Sequence, residues 1–174
     1  MSQPDTSALI VRVHLPTTLD GLRRASVGDA RLGIPAHVTL LYPFVPSRDL
    51  RSPLRRTIAA IVNRHRHFDY HLHGPRSWPD TIYAAVDPER PFVELHQELA
   101  ATFPDYPIYG GTVDELVPHV SVAEGSALAD PRTLQHRGWH TLPTRRVARA
   151  VELMAPGPDG RWATVWRFRL RSEG

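Results

Sequence analysis

Apolar and polar residues alternate from Ala8 to Leu15, placing Leu9, Val11, Val13 and Leu15 on one face of a predicted strand and Arg12 and His14 on the other. Pro16 ends that strand. Thr17 or Thr18 can cap a helix running to about Ala25, and Gly28, Asp29 and Gly33 mark an irregular connection. Alternation returns from His37 to Phe44. Ser52-Pro53 then reads as a capped helix start with proline in the first turn, and Leu54, Ile58, Ile61 and Val62 recur at helical spacing toward His65. Phe68 to His73 and Thr81 to Val86 read as strands separated by Gly74-Pro75 and Trp78-Pro79. A helix is predicted near Phe92 to Phe103, a strand from Val117 to Ala123 and a weaker helix around Pro131 to Arg137. Arg146 to Met154 and Arg161 to Leu170 form a predicted hairpin around the turn Pro156-Gly157-Pro158-Asp159-Gly160.

The order strand, helix, strand, helix therefore occurs twice, before residue 67 and again from residue 81, without high internal identity. Such a duplicated unit with a terminal hairpin predicts an α+β fold built mainly from antiparallel strands. At 174 residues a single domain made of two lobes is expected, with residues 1 to 6 as the one unstructured segment.

Composition narrows the chemistry. An apolar fraction of 41% with 22% charged residues suits a soluble globule, and no apolar run is long enough to span a bilayer. The start Met1-Ser2-Gln3-Pro4-Asp5 lacks a basic segment leading into an apolar one, so a cytoplasmic protein is expected. There is no cysteine, which removes disulfides and thiolate metal sites. Every cationic side chain other than histidine is arginine. Without lysine there is neither a P-loop amine nor a lysyl-nucleotidyl intermediate, so any ligation must draw on energy stored in the substrate. A net charge of +3 suits anionic ligands, although a biased genome accounts for the arginines equally well.

The alternation carries one repeated tetrapeptide, His37-Val38-Thr39-Leu40 and His119-Val120-Ser121-Val122. Period two puts each histidine on the face of its hydroxyl neighbour and turns the valine toward the core. If the halves meet, two imidazoles and two hydroxyls face one another. Imidazole titrates near 6.5, so such a pair can accept a proton on one side of a phosphorus atom and supply one on the other, while the hydroxyls hold the non-bridging oxygens.

With their flanks, Ile34-Pro35-Ala36-His37-Val38-Thr39-Leu40-Leu41-Tyr42-Pro43-Phe44 and Val117-Pro118-His119-Val120-Ser121-Val122, the motifs resemble the 2H phosphoesterase superfamily, which carries two H-x-[ST]-Φ motifs about eighty residues apart. The superfamily includes the 2′,5′ RNA ligase and 2′,3′-cyclic phosphodiesterase proteins. The resemblance implies a bilobal, pseudo-two-fold fold of two mainly antiparallel sheets flanked by helices, with a central cleft. It implies His37 and His119 as the catalytic pair, Thr39 and Ser121 as phosphate-binding hydroxyls, and no cofactor. It further implies that His119 activates the nucleophile and His37 protonates the leaving oxygen. The expected function is metal-independent opening of 2′,3′-cyclic phosphates on RNA ends or small nucleotides, with 2′,5′ ligation as the related transfer.

Other candidates have ordinary alternatives. Tyr83, on the less apolar face of its strand, is the preferred base-stacking residue over Trp78, and Tyr109 before Gly110-Gly111 is a candidate lip of the cleft. Tyr42 and Phe44 fall on the valine face and read as packing. Arg12 either lines the cleft or lies in solvent. Glu124 falls on the face opposite His119. His65, His67, His71 and His73 are spaced for metal ligation, but only Asp69 is at hand to complete a shell, so surface histidines are the expectation. The arginines between Arg48 and Arg66 are candidates to contact an RNA backbone or simply the solvated faces of helices. The expected partner is an RNA end or cyclic nucleotide, with a monomeric chain, no protein partner and no membrane. Two rival readings remain, a binding module that uses the cleft without turnover and a metal-dependent hydrolase built on the second histidine group.

Overall fold

The computed structural model describes residues 5–172. Eight strands form two four-stranded antiparallel sheets. The first contains β1 (Ala8–Arg12), β2 (His37–Leu41), β7 (Ala150–Pro156) and β8 (Trp162–Arg169), in the order β2-β1-β7-β8. The second contains β3 (Phe68–Ser77), β4 (Thr81–Asp87), β5 (His119–Glu124) and β6 (Thr144–Ala148), in the order β5-β4-β3-β6. Both motif strands are thus edge strands, and they lie beside each other where the sheets meet. This is the expected bilobal α+β architecture with a central cleft.

The helices tie the lobes together crosswise. Helix α1 (Thr17–Ser26) follows β1 but packs on β5, and α4 (Arg90–Thr102) follows β4 but packs on β2, so each motif edge strand packs against the other lobe's helix. The shorter α2 (Gly28–Arg31) continues from α1, and α3 (Ser52–Val62) packs against β8 and α4. One continuous core results. Val38 and Leu40 from β2, Val120 and Val122 from β5, and Ile58, Leu95 and Leu99 from the helices are all fully buried in it. A shared core fixes the lobes relative to each other and leaves the cleft standing open between them.

Several local expectations need correction. The predicted strand Arg146 to Met154 is two strands in different sheets: β6 pairs with β3, and after Arg149 the chain crosses to pair β7 with β1. Alternation is the same on both sides of that crossing, so no pattern marks it. Pro16 and Arg51, not Thr17 or Ser52, occupy the positions before α1 and α3, and neither helix has a side-chain cap. Strand β3 runs through Gly74-Pro75 to Ser77. Residues 1–4 of the segment expected to be unstructured lie outside the described residues, but Thr6 and Ser7 are buried, their hydroxyls donating to the carbonyls of Phe44 at 2.8 Å and Val45 at 2.7 Å. No helix among the described residues is long and apolar enough to cross a membrane.

Candidate active site

Both motif strands depart from regular alternation at the same place. In β2, Thr39 pairs with Ile10 and Leu41 with Leu9, so Leu40 is one residue in excess of β1. In β5, Ser121 pairs with Tyr83 and Ala123 with Ile82, so Val122 is in excess of β4. Each bulge follows its motif hydroxyl by one position and puts two consecutive residues, Leu40-Leu41 and Val122-Ala123, into the core. The parity of the strand then inverts. Tyr42 and Glu124, each five residues after its motif histidine, emerge on the same side as the histidines and line the cleft.

That reverses two expectations: Tyr42 is a cleft residue and not packing, and Glu124 shares the face of His119. The only sequence trace of a bulge is a pair of adjacent apolar residues in an alternating strand. Phe44, in contrast, is buried as expected, edge-on to Phe103 and Tyr106.

The cleft has a volume of about 1060 Å³, ample for a mononucleotide. His37, Thr39, His119 and Ser121 all line it. The two imidazoles are held alike. Nδ1 of His37 lies 2.7 Å from the carbonyl of Pro35, and Nδ1 of His119 lies 2.8 Å from the carbonyl of Val117. A carbonyl only accepts, so each Nδ1 carries the hydrogen and each neutral ring keeps its lone pair at Nε2. In both copies the acceptor is the residue two before the histidine, which makes the tautomer a property of the local chain.

Their electrostatic settings differ. Burial, together with the positive charges of Arg23 and Arg12, pulls His37 down to about 4, and the bond to Pro35 only partly opposes this. Burial also lowers His119, but the bond to Val117 and the nearby Asp80 carboxylate work in the other direction. Around the motif hydroxyls, the phenol of Tyr109 faces Thr39 and the carboxylate of Glu124 faces Ser121. Tyr109 is held in a left-handed backbone conformation, φ 50°, and its N–H donates to the carbonyl of Tyr42 at 2.6 Å.

The remaining candidates take varied places. Tyr83 is buried and does not line the cleft; it stacks under Trp78, ring centroids 4.1 Å apart, and meets the His119 ring edge-on at 5.5 Å. Trp78 is the cleft-lining member of this group, 4.7 Å from His119. Arg12 pairs in register with His37, but its guanidinium is turned to Glu152 at 2.8 Å and to Thr164. It lines a smaller neighbouring hollow instead of the main cleft.

Arg23, Asp29, Asp80 and Trp162 also line the cleft and went unnoticed in the sequence. Arg23 had a visible sign, since it sits one turn after Leu19 on the inner face of an amphipathic helix. It is 2% exposed and donates to the carbonyl of Ile34 at 3.0 Å and to Asp29. Among the described residues, no group of three or more His, Cys, Asp or Glu side chains could hold a metal ion. His71 and His73 point from the same strand with ring centroids 6.2 Å apart, and His65 approaches Glu98.

The folded chain resembles solved proteins over nearly its whole length. E. coli LigT complexed with 3′-AMP superposes with a TM-score of 0.59 at 15% identity, covering 97% of this chain and 99% of the other. TT0787 of Thermus thermophilus gives 0.59 at 19%, covering 97% and 100%. A crystal structure of a phosphoesterase gives 0.54 at 14%, covering 96% and 99%. No curated protein sequence matches. Residues 11–154, which include both histidine motifs, match the family model of the 2′-5′ RNA ligase superfamily. The chain belongs to that superfamily, and with it to the phosphodiester-handling enzymes known as 2H phosphoesterases.

Proposed function

We propose that this protein hydrolyses 2′,3′-cyclic phosphates by metal-independent acid and base catalysis between His37 and His119. The observation that carries this reading is the matched pair of Nδ1-to-carbonyl bonds, which leaves two Nε2 atoms in one cleft with a hydroxyl beside each. One imidazole takes a proton from water as its oxygen bonds to phosphorus. The other delivers a proton to the ribose oxygen as its bond to phosphorus breaks, and a nucleoside monophosphate of one regiochemistry leaves. Thr39 and Ser121 donate to the non-bridging oxygens, where negative charge is held in the transition state.

The charge distribution favours the reverse of the roles implied by the family resemblance. Burial, and after it the positive charges nearby, keep His37 neutral and suited to be the base; burial lowers His119 as well, but there Asp80 works toward keeping a proton. Binding an anionic phosphate favours that proton further.

Hydrolysis of nucleoside 2′,3′-cyclic phosphates followed by phosphorus NMR, in the presence of a chelator, tests the proposal. Wild type should give a single monophosphate isomer, and His37→Ala and His119→Ala should each lose about 10²–10⁴-fold in rate. Unchanged rates in both variants would overturn it.

A further inference from the structure

The twin bulges place unlike residues at equivalent positions, and the cleft is consequently two-sided. Beyond Thr39, Tyr42 packs against Trp162 at 6.3 Å between ring centroids, and with Ile10 and Met154 it makes an apolar wall. Beyond Ser121, Glu124 and Asp29 make a wall of acceptors. Burial and the charge of Asp29 raise Glu124, and burial raises Asp29 against the opposing charge of Arg23; both carboxyls are half-buried.

The overall charge of the cleft is at odds with that of the protein. Asp29, Asp80, Glu115 and Glu124 line it against one guanidinium, that of Arg23, which is already engaged by Asp29 and the Ile34 carbonyl. Arg51, Arg55 and Arg56 stand exposed around α3 and do not line the cleft. Each added nucleotide of an RNA strand brings another negative charge, and strand binding draws its affinity from cations that neutralise phosphates. This cleft supplies few. A mononucleoside cyclic phosphate brings a single negative charge, which a proton on His119 and the two motif hydroxyls can meet.

A base lying along the apolar wall would turn its polar edge toward acceptors. Guanine is the common base with adjacent N–H donors, at N1 and N2, that one carboxylate can accept together. Resting on the phosphodiesterase reading above, we infer that Glu124 is a specificity-determining residue and that the cleft selects guanosine 2′,3′-cyclic phosphate over the other mononucleotides and over cyclic-phosphate-ended RNA.

The test compares kcat/KM of the full chain for the four nucleoside 2′,3′-cyclic phosphates and for a hexanucleotide ending in guanosine 2′,3′-cyclic phosphate, in wild type and Glu124→Gln. In wild type the guanosine substrate should lead the other bases and the hexanucleotide by about tenfold. Glu124→Gln should lower kcat/KM for guanosine about tenfold, mainly through KM, and bring the four bases toward equality. Equal values for the four bases in wild type, a hexanucleotide as good as the monomer, or an unaltered preference in Glu124→Gln would overturn the inference while leaving the phosphodiesterase reading intact. Absence of turnover on every substrate would overturn both. The wild-type ratios decide the base preference even if the variant fails to fold.

Discussion

Nδ1 of His96 on α4 donates a hydrogen bond of 2.7 Å to the carbonyl of Leu40, the residue by which β2 exceeds its partner strand. Both groups are buried. A bulge disrupts the ladder on its own strand, and here the other lobe's helix satisfies the displaced carbonyl. The Tyr109 N–H does the same for Tyr42 two residues on, so the turn of β2 into the cleft is pinned at two points from outside the strand.

Removing the ring of His96 should therefore cost stability and distort the site together. His96→Ala leaves the Leu40 carbonyl buried without its donor, at about 1–3 kcal/mol. Chemical denaturation should show the lower midpoint, and KM should rise because Tyr42 follows the bulge. His96→Gln, which keeps an N–H donor, should recover part of both; no recovery would argue that ring packing alone matters.

Arg23 joins α1 to the α2 connection through Asp29 and Ile34. Substituting Arg23→Ala strands a half-buried carboxylate and should destabilise the fold by about 3 kcal/mol. Arg23→Lys should restore only a fraction, since a single ammonium lacks the planar fork that meets both partners. Thermal melting of the two variants separates these outcomes, and equal melting temperatures for wild type and Arg23→Ala would refute the structural role.

The low value of His37 also sets a sign for stability against pH. The unfolded imidazole titrates at its ordinary 6.5 and the folded one at about 4, so between those values the unfolded chain binds more protons. Stability contributed by neutral His37 is present above 6.5 and is lost as pH falls toward 4. His119 is shifted the same way, whereas the raised Asp29 and Glu124 act in the opposite direction at their own titrations. Comparing urea midpoints at pH 7 and pH 5 isolates the residue: wild type should lose more than His37→Gln across that interval.

If His37 is the base and His119 the acid, they should respond differently to a good leaving group. On bis(4-nitrophenyl) phosphate the departing phenolate needs no proton, so His119→Ala should retain at least tenfold more activity than His37→Ala. The opposite ranking would assign the roles the other way round.

Much of this protein follows from its sequence alone. The alternation within H-V-T-L and H-V-S-V set the faces of the histidines and hydroxyls, because strand parity is a local backbone property. The turn Pro156 to Gly160 likewise announced the β7-β8 hairpin. Absence of lysine and cysteine excluded whole classes of chemistry before any fold was known.

Only the tertiary structure decided what surrounds those four residues. Leu40 and Val122 bulge where the sequence shows no more than two adjacent apolar residues, and the inverted parity delivers Tyr42 and Glu124 to the cleft. Nor does any local signal show that Arg149 ends one sheet and begins the approach to another, or that α1 and α4 cover the opposite lobe's edge strand. Those outcomes depend on unpaired edges and buried carbonyls finding partners far along the chain. The motif therefore names the groups proposed to react, while packing between the lobes makes one wall of their cleft apolar and the other acidic.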